Sequence, residues 1–299
     1  MTPLQRVGVL AHPARPLTAP VSEHIAATLR DRGLAVWQFA QWVDEDVRAS
    51  LENGPTDMVI AIGGDGAMLR AARVCARYDV PVLGVNMGHL GFLTEVKDPD
   101  EWAATLDQVV AGSYWVENRM MIAVSAWRDH QQLAQADGLN DAVISRGTVT
   151  RMIQLDAYID GDWTTTYNAD ALIIATATGS TAYALATGGP ILPPELRNIL
   201  MVPVAPHLSL ERPIVLPEGA VVDVIVSSDA QAETALAVDG VLLCELHSGD
   251  RVHIKASAHA SRFVRLREKN YFYRSLLDRL EPRAPARRPP PVPLDEQEL

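Results

Sequence analysis

The sequence predicts an α/β domain with a mostly parallel, Rossmann-like sheet, followed by an all-β domain and a C-terminal helix that returns to the first domain. Two changes of pattern carry this reading. Short apolar runs alternate with amphipathic stretches over the first hundred residues, and from Tyr114 onward β-branched runs punctuated by turn residues take over. Alternating strands and helices favour a parallel sheet, whereas strand-only stretches pair through hairpins.

Taken in order, residues 7–10 read as a buried strand. A helix is expected from Ser22 to Arg32, closed by Gly33, since glycine adopts the left-handed backbone of a helix terminus without a Cβ penalty. Residues 34–39, 58–62 and 82–85 read as further strands, with a helix over 67–78 between the last two. In the second half, Asp160-Gly161 and Asp239-Gly240 are hairpin dipeptides between apolar flanks. Residues 142–144, 171–175, 221–226, 251–254 and 263–266 read as strands. One interruption, 179–189, is bracketed by glycines and holds a helix-compatible Ala/Leu stretch.

The expected division is 1–113, 114–266, a helix within 267–280 and a tail over 281–299. The tail holds six prolines, the Arg287-Arg288 pair and an acidic end. That is the composition of a solvated, disordered segment, with a proline-rich partner ligand as the sharper alternative.

Composition narrows the function classes. Hydrophobic residues make up 48% and charged residues 21%, the balance of a globular chain. With 26 Lys and Arg against 37 Asp and Glu, the net charge is −11, which repels nucleic-acid backbones at long range. Phosphorylated small molecules stay open, because backbone amides, metal ions and a few arginines can hold them. Cys75 and Cys244 have no metal-ligand spacing and read as reduced interior residues. No stretch is long enough to span a bilayer, so a cytoplasmic protein without a membrane partner is expected.

Three segments could carry chemistry. Gly63-Gly64-Asp65-Gly66 lies between an apolar strand and a helix start. Consecutive glycines let backbone approach a phosphate, and the helix N-terminus adds unpaired N–H groups. Asp65 then sits at the carboxyl end of a parallel strand, where open α/β sheets place ligands. A carboxylate there can take a proton from a hydroxyl or hold a metal ion; equally, it can cap the following helix.

The second segment, Thr176 to Pro190, concentrates glycine and hydroxyls around Tyr183. Small residues let a planar ring lie against backbone, although an ordinary Ser/Thr-rich loop has similar composition. The third, Asn140-Asp141, can read ring nitrogens and ribose hydroxyls, or simply form the turn before a strand. Gly-x-Gly-x-x-Gly after the first strand, a Walker-type Gly-Lys-Ser/Thr and a His-Glu-x-x-His pattern are all absent.

In this order and on this architecture, the segments resemble the NAD kinase family. The resemblance runs through Gly63-Gly64-Asp65-Gly66, Asn86-Met-Gly-His-Leu-Gly-Phe-Leu93, Asn140-Asp141, Asn168-Ala-Asp170, Thr178-Gly-Ser-Thr-Ala-Tyr183, Gly188-Gly-Pro190, Pro206-His207 and Arg212-Pro213. The Gly-Gly-Asp-Gly element also occurs in lipid kinases and 6-phosphofructokinases; the Thr-Gly-Ser-Thr-Ala-Tyr element separates the families.

The resemblance implies transfer of a phosphoryl group from ATP, or from polyphosphate, to the 2′-hydroxyl of the adenosine ribose of NAD, giving NADP. It implies Asp65 as general base and Gly63, Gly64 and Gly66 along the donor phosphates. Asn140 and Asp141 would bind the acceptor's adenosine and Asp170 the nicotinamide-side ribose, while Thr181, Ala182, Tyr183 and Ala186 would wall the NAD pocket. Arg70, Arg151 and Asn168 fall at further nucleotide-contact positions. A divalent ion, Mg²⁺, is the expected cofactor, and a homodimer or homotetramer built through the β half is the expected assembly. Two positions depart from the pattern: Asp141 stands where glutamate is frequent, and Val241 where glutamine commonly follows Asp239-Gly240. The competing readings are a lipid or sphingoid kinase of the same superfamily and a non-catalytic dinucleotide sensor.

Overall fold

Apolar runs too long to alternate with polar residues must be covered on both faces, and in the first half they are. In a computed structural model of the chain, residues 4–12, 14–87, 91–147, 151–227, 233–269 and 271–272 are described. The first half consists of β1 (Arg6–Leu10), α1 (Thr18–Asp31), β2 (Ala35–Phe39), α2 (Asp44–Glu52), β3 (Met58–Gly63), α3 (Asp65–Ala76), β4 (Val82–Asn86) and α4 (Trp102–Val110). All residues of β3 and β4 are buried. The four strands pair in parallel in the order β2-β1-β3-β4. One face packs Val7, Val9, Ile60 and Ile62 against Ile25, Leu29, Trp102 and Leu106; the other packs Val59 and Ala61 against Val47, Met68 and Ala72. The result is three layers, helix on sheet on helix.

Two helices escape the sequence reading. Helix α2 begins with Asp44, Glu45 and Asp46, charges that favour a helix N-terminus, and Asp46 accepts from the Val43 amide at 2.9 Å. Helix α4 buries Trp102, Leu106 and Val109, the i, i+4, i+7 stripe. The first helix starts at Thr18 rather than Ser22. Its first turn tolerates Pro20 because those amides have no intrahelical acceptor.

The second half contains β5 (Trp115–Arg128), β6 (Gln131–Gly138), β7 (Asp141–Arg146), β8 (Ile153–Ile159), β9 (Asp162–Ala169) and β10 (Ala171–Thr176). After α5 (Tyr183–Ala186) follow β11 (Asn198–Val204), β12 (Ile214–Pro217), β13 (Val222–Val226), β14 (Thr234–Val238), β15 (Val241–Leu246) and β16 (Arg251–Arg265). Both Asp-Gly dipeptides make hairpins: Asp160 and Gly161 have φ of 53° and 89°, Asp239 and Gly240 of 49° and 76°. Two positive φ values in succession suit the twist of flanking strands. A six-stranded sheet, β12-β11-β10-β7-β14-β15, faces the antiparallel part of the larger sheet. Ile122, Leu155, Val224 and Ile254 on one side meet Ile144, Leu172, Ile174 and Leu236 on the other.

Strand β16 corrects the sequence reading. Residues 251–254 and 263–266 were expected to be separate strands, yet one strand runs Arg251–Arg265, with a register shift against β5 between Ala256 and Ala260. The irregularity breaks the two-residue alternation that marks a strand in sequence. Its far end pairs in parallel with β4, Phe263 opposite Val82, so a single ten-stranded sheet crosses the expected boundary near residue 113. The expected helix in 267–280 and the tail over 281–299 lie, beyond Phe272, outside the described residues.

Candidate active site

The strand order creates the site. Strand β1 leads to β2 on one side and β3 leads to β4 on the other, so the carboxyl ends of β1 and β3 flank a topological switch point, where α/β sheets open a crevice. Gly63 ends β3 with φ of 150°, and Gly64 precedes the first turn of α3. A Cβ on Gly63 would lie 2.9 Å from Ala67 Cβ and 3.3 Å from the His12 ring, so glycine here keeps the crevice floor open. His12, which the sequence reading did not single out, lies against this turn. Its Nδ1 accepts from the Ala14 amide at 3.1 Å, and burial together with the Arg15 and Arg70 charges holds it below the usual histidine range.

Asp65 does not cap α3. It is the first helical residue, and its carboxylate turns to the segment after β4: Oδ2 accepts from Phe92 N at 2.7 Å and Oδ1 from Leu93 N at 3.0 Å. Two backbone donors fix the carboxylate's orientation and leave further lone pairs for a ligand. Gly91 makes this approach possible, because a Cβ there would overlap the carboxylate. Within the quoted motif, residues 88–90 lie outside the described residues.

An open cleft of about 530 Å³ runs from Gly66, Leu69, Arg70 and Arg73 on α3 to Asp239 and Val241 on the β14–β15 hairpin. Arg70 donates to Asp44 Oδ1 at 2.8 Å and stacks 4.1 Å above the Trp42 ring, which holds its guanidinium at the cleft wall. Val241, at the position of the expected glutamine, gives this wall an apolar side chain.

Asp239 organises the Asn140-Asp141 corner. Its carboxylate accepts from the amides of Leu139 (2.9 Å), Asn140 (2.7 Å) and Asp141 (3.2 Å). The sequence marks Asp239 only as a turn residue; a partner about a hundred residues away leaves no local signal. The glycine-bracketed segment packs on the same corner. The Asn140 carbonyl accepts from Thr176 N at 2.8 Å, and Thr176 Oγ1 donates to the Leu139 carbonyl at 2.5 Å. Thr181 and Ala182 are half-buried, Tyr183 is 45% exposed and Ala186 is exposed.

Gly179 touches Asn140 directly: an added Cβ would overlap the Asn140 oxygen and lie 2.6 Å from its carbonyl carbon. Backbone cannot swing aside as a side chain can. Gly179→Ala is therefore expected to lower stability by roughly 2–3 kcal/mol, measured by urea unfolding. An unchanged urea midpoint would mean the loop has room that the geometry denies.

The chain does not bring all candidates together. Asp170 pairs with Arg146 at 2.9 Å, and the Asn168 carbonyl accepts from His207 N. Strands β7 and β10 are antiparallel, with Asp141 opposite Ala175 and Ser145 opposite Ala171. Arg146 and Asp170 thus stand about five residues, or about 17 Å, along the ladder from Asp141. Arg151 is exposed.

Asp141 is 5% exposed, and burial and the nearby Asp239 charge push its carboxyl up to about 7. A carboxyl raised in this way favours the acid form of the fold. Its contribution is complete below about pH 4 and disappears as pH rises through 7. Asp141→Asn is expected to gain stability over the parent between pH 5 and pH 8. The gain approaches roughly 4 kcal/mol at the alkaline end and is read from urea unfolding at both pH values. A variant-to-parent difference that does not change with pH would show that Asp141 ionises normally.

Among the described residues no three His, Cys, Asp or Glu side chains group as a metal site, and no helix is long and apolar enough to cross a membrane. Residues 17–114 match the model of the ATP-NAD kinase N-terminal domain and residues 139–266 that of the ATP-NAD kinase C-terminal domain. A relative named NAD kinase from Chloroflexus aurantiacus is 41% identical over 278 residues, covering 93% of this chain and 99% of the relative. Among solved structures, yeast NADH kinase complexed with NADH superposes with a TM-score of 0.82 at 25% identity, covering 94% of this chain and 88% of that one. An NAD kinase from Archaeoglobus fulgidus in complex with ATP gives 0.72 at 25% identity, over 91% and 97%. The glycine turn, its clamped aspartate and the Asn-Asp corner therefore stand in a known frame: the chain belongs to the NAD kinase family.

Proposed function

We propose that the chain transfers the γ-phosphoryl group of ATP to the 2′-hydroxyl of the adenosine ribose of NAD, giving NADP and ADP, with Asp65 as general base. The observation that carries the reading is the Asp65 carboxylate, held by two backbone amides at the tip of the glycine turn. A ribose hydroxyl is a weak nucleophile. In the proposed step Asp65 takes its proton as the oxygen attacks the terminal phosphorus and ADP leaves.

Gly63, Gly64 and Gly66, with the first amides of α3, would line the donor phosphates. Asn140 and Asp141 would receive the adenosine, with Thr181, Ala182, Tyr183 and Ala186 as the pocket wall. Asp170 would bind the nicotinamide-side ribose, and Arg70, Arg151 and Asn168 would make further nucleotide contacts. A Mg²⁺ ion bound through phosphate oxygens and waters needs only one or two protein carboxylates. Such an ion would arrive with the donor phosphates at the Gly63–Gly66 turn and would supply charge neutralisation there, leaving Asp65 to take the proton.

The test is to incubate the protein with NAD, Mg²⁺ and either ATP or polyphosphate, and to assay NADP with an NADP-specific dehydrogenase. NADP formation with ATP is expected. Tight dinucleotide binding without transfer from any donor would instead mark a sensor, and transfer to a lipid alcohol but not to NAD a lipid kinase. We further propose a cytoplasmic homodimer or homotetramer joined through the β half. Trp163, Leu208 and Leu242, 61%, 89% and 64% exposed, support such an interface, and light scattering checks it.

A further inference from the structure

Arg265, the last residue of β16, is fully buried, and Glu95, Glu117 and Arg119 beside it are at most 5% exposed. Its Nε donates to Glu117 Oε2 at 2.8 Å. Its Nη1 donates both to Glu95 Oε2 at 3.2 Å and to the Leu93 carbonyl at 3.0 Å. Arg119 donates to the same Glu117 oxygen at 3.0 Å, and Arg267 Nη2 reaches Glu95 Oε2 at 2.8 Å and the Thr94 carbonyl at 3.1 Å. The Leu266 and Arg267 amides also donate to Glu95.

Removing these charges from water is costly, and an apolar cluster of equal volume can join two segments as well. What a guanidinium adds is geometry, because its planar fork accepts only a narrow arrangement of partners. One of those partners is Leu93, whose own amide donates to Asp65 Oδ1. Residues 91–95 belong to no helix or strand, so their position depends on such outside contacts. The chain of contacts is short: guanidinium, the backbone of Leu93 on either side of its Cα, carboxylate.

We infer that Arg265, by gripping Leu93 and Glu95, is a positioning residue for the Asp65 carboxylate. This inference rests on the proposed role of Asp65 as general base. The test is a double-mutant cycle. Arg265→Lys keeps the charge but cannot hold the same set of acceptors. Its kcat is expected to fall at least about tenfold while the KM values for NAD and ATP stay within about threefold. Added to Asp65→Asn, it should cost less than about twofold more, because the group it orients is already gone. An arginine that only braces the fold gives multiplicative losses instead.

A normal kcat in Arg265→Lys, or full multiplication in the double variant, overturns the inference. If Arg265→Lys does not fold, Glu95→Gln keeps the volume, weakens the same grip and enters the same cycle. Asp65→Asn alone separates the two failures. Normal turnover there removes the base, and the inference with it. A depressed Asp65→Asn beside a normal Arg265→Lys removes only the arginine's part.

Discussion

Asp65→Asn is expected to cut kcat by about 100-fold or more while leaving NAD binding within a few-fold of the parent. General-base assistance typically contributes about 100- to 10,000-fold, and a carboxamide cannot take the proton. The clamp adds a second cost. Two carboxylate oxygens accept from Phe92 and Leu93, but asparagine has a single acceptor oxygen, so its NH₂ group would face one of these amide donors. The side chain must rotate or lose a hydrogen bond. Donor binding should not suffer, because the substitution removes a negative charge beside the phosphates. The measurements are steady-state kinetics in the coupled NADP assay and calorimetric titration with NAD. Near-parental turnover would remove Asp65 from the base role.

Where the sequence was legible, a local physical rule decided the structure. Asp160-Gly161 and Asp239-Gly240 make the hairpins their backbone preferences require. The run from Met58 to Gly63 is buried on both faces, as an unalternating apolar strand must be. Gly64 precedes a helix whose first residue carries the proposed base. Each of these rests on neighbours within a few positions, and neighbours are what a sequence displays.

The missing parts are long-range. Asp239 was visible as a turn former, but its three hydrogen bonds cross 98 to 100 positions to Leu139, Asn140 and Asp141. Arg265 and Glu95 meet across 170 positions, and neither sits in a motif that distinguishes a buried charge from a solvated one. Strand β16 was split in two because its register shift interrupts the alternation. Through that strand the parallel sheet and the β half become one sheet, so a division drawn from composition passes through continuous hydrogen bonding. His12 went unnoticed for a simpler reason. A histidine after a strand means little until the topology sets it beside the glycine turn of a different strand.

Gly91→Ala is expected to lower kcat nearly as far as Asp65→Asn, without unfolding the chain. The added methyl would overlap Oδ1, Oδ2 and Cγ of Asp65, atoms at the end of a rotatable side chain rather than fixed backbone. The carboxylate is therefore displaced from the Phe92 and Leu93 amides while β3, α3 and β4 keep their packing. An off-rotamer side chain costs roughly 0.5–1.5 kcal/mol and each charge-assisted hydrogen bond contributes roughly 1.5–3 kcal/mol, part of which water returns at this half-buried site. A fall in Tm of several degrees is consistent with those figures. The double variant Asp65→Ala/Gly91→Ala distinguishes displacement of the acid from general damage. With no carboxylate to strike, the methyl at residue 91 should cost little further stability, and turnover should match that of Asp65→Ala alone. If Gly91→Ala kept parental kcat, the base would tolerate a position other than the one its two amides define. Clamping by the turn after β4 would then be incidental to the chemistry.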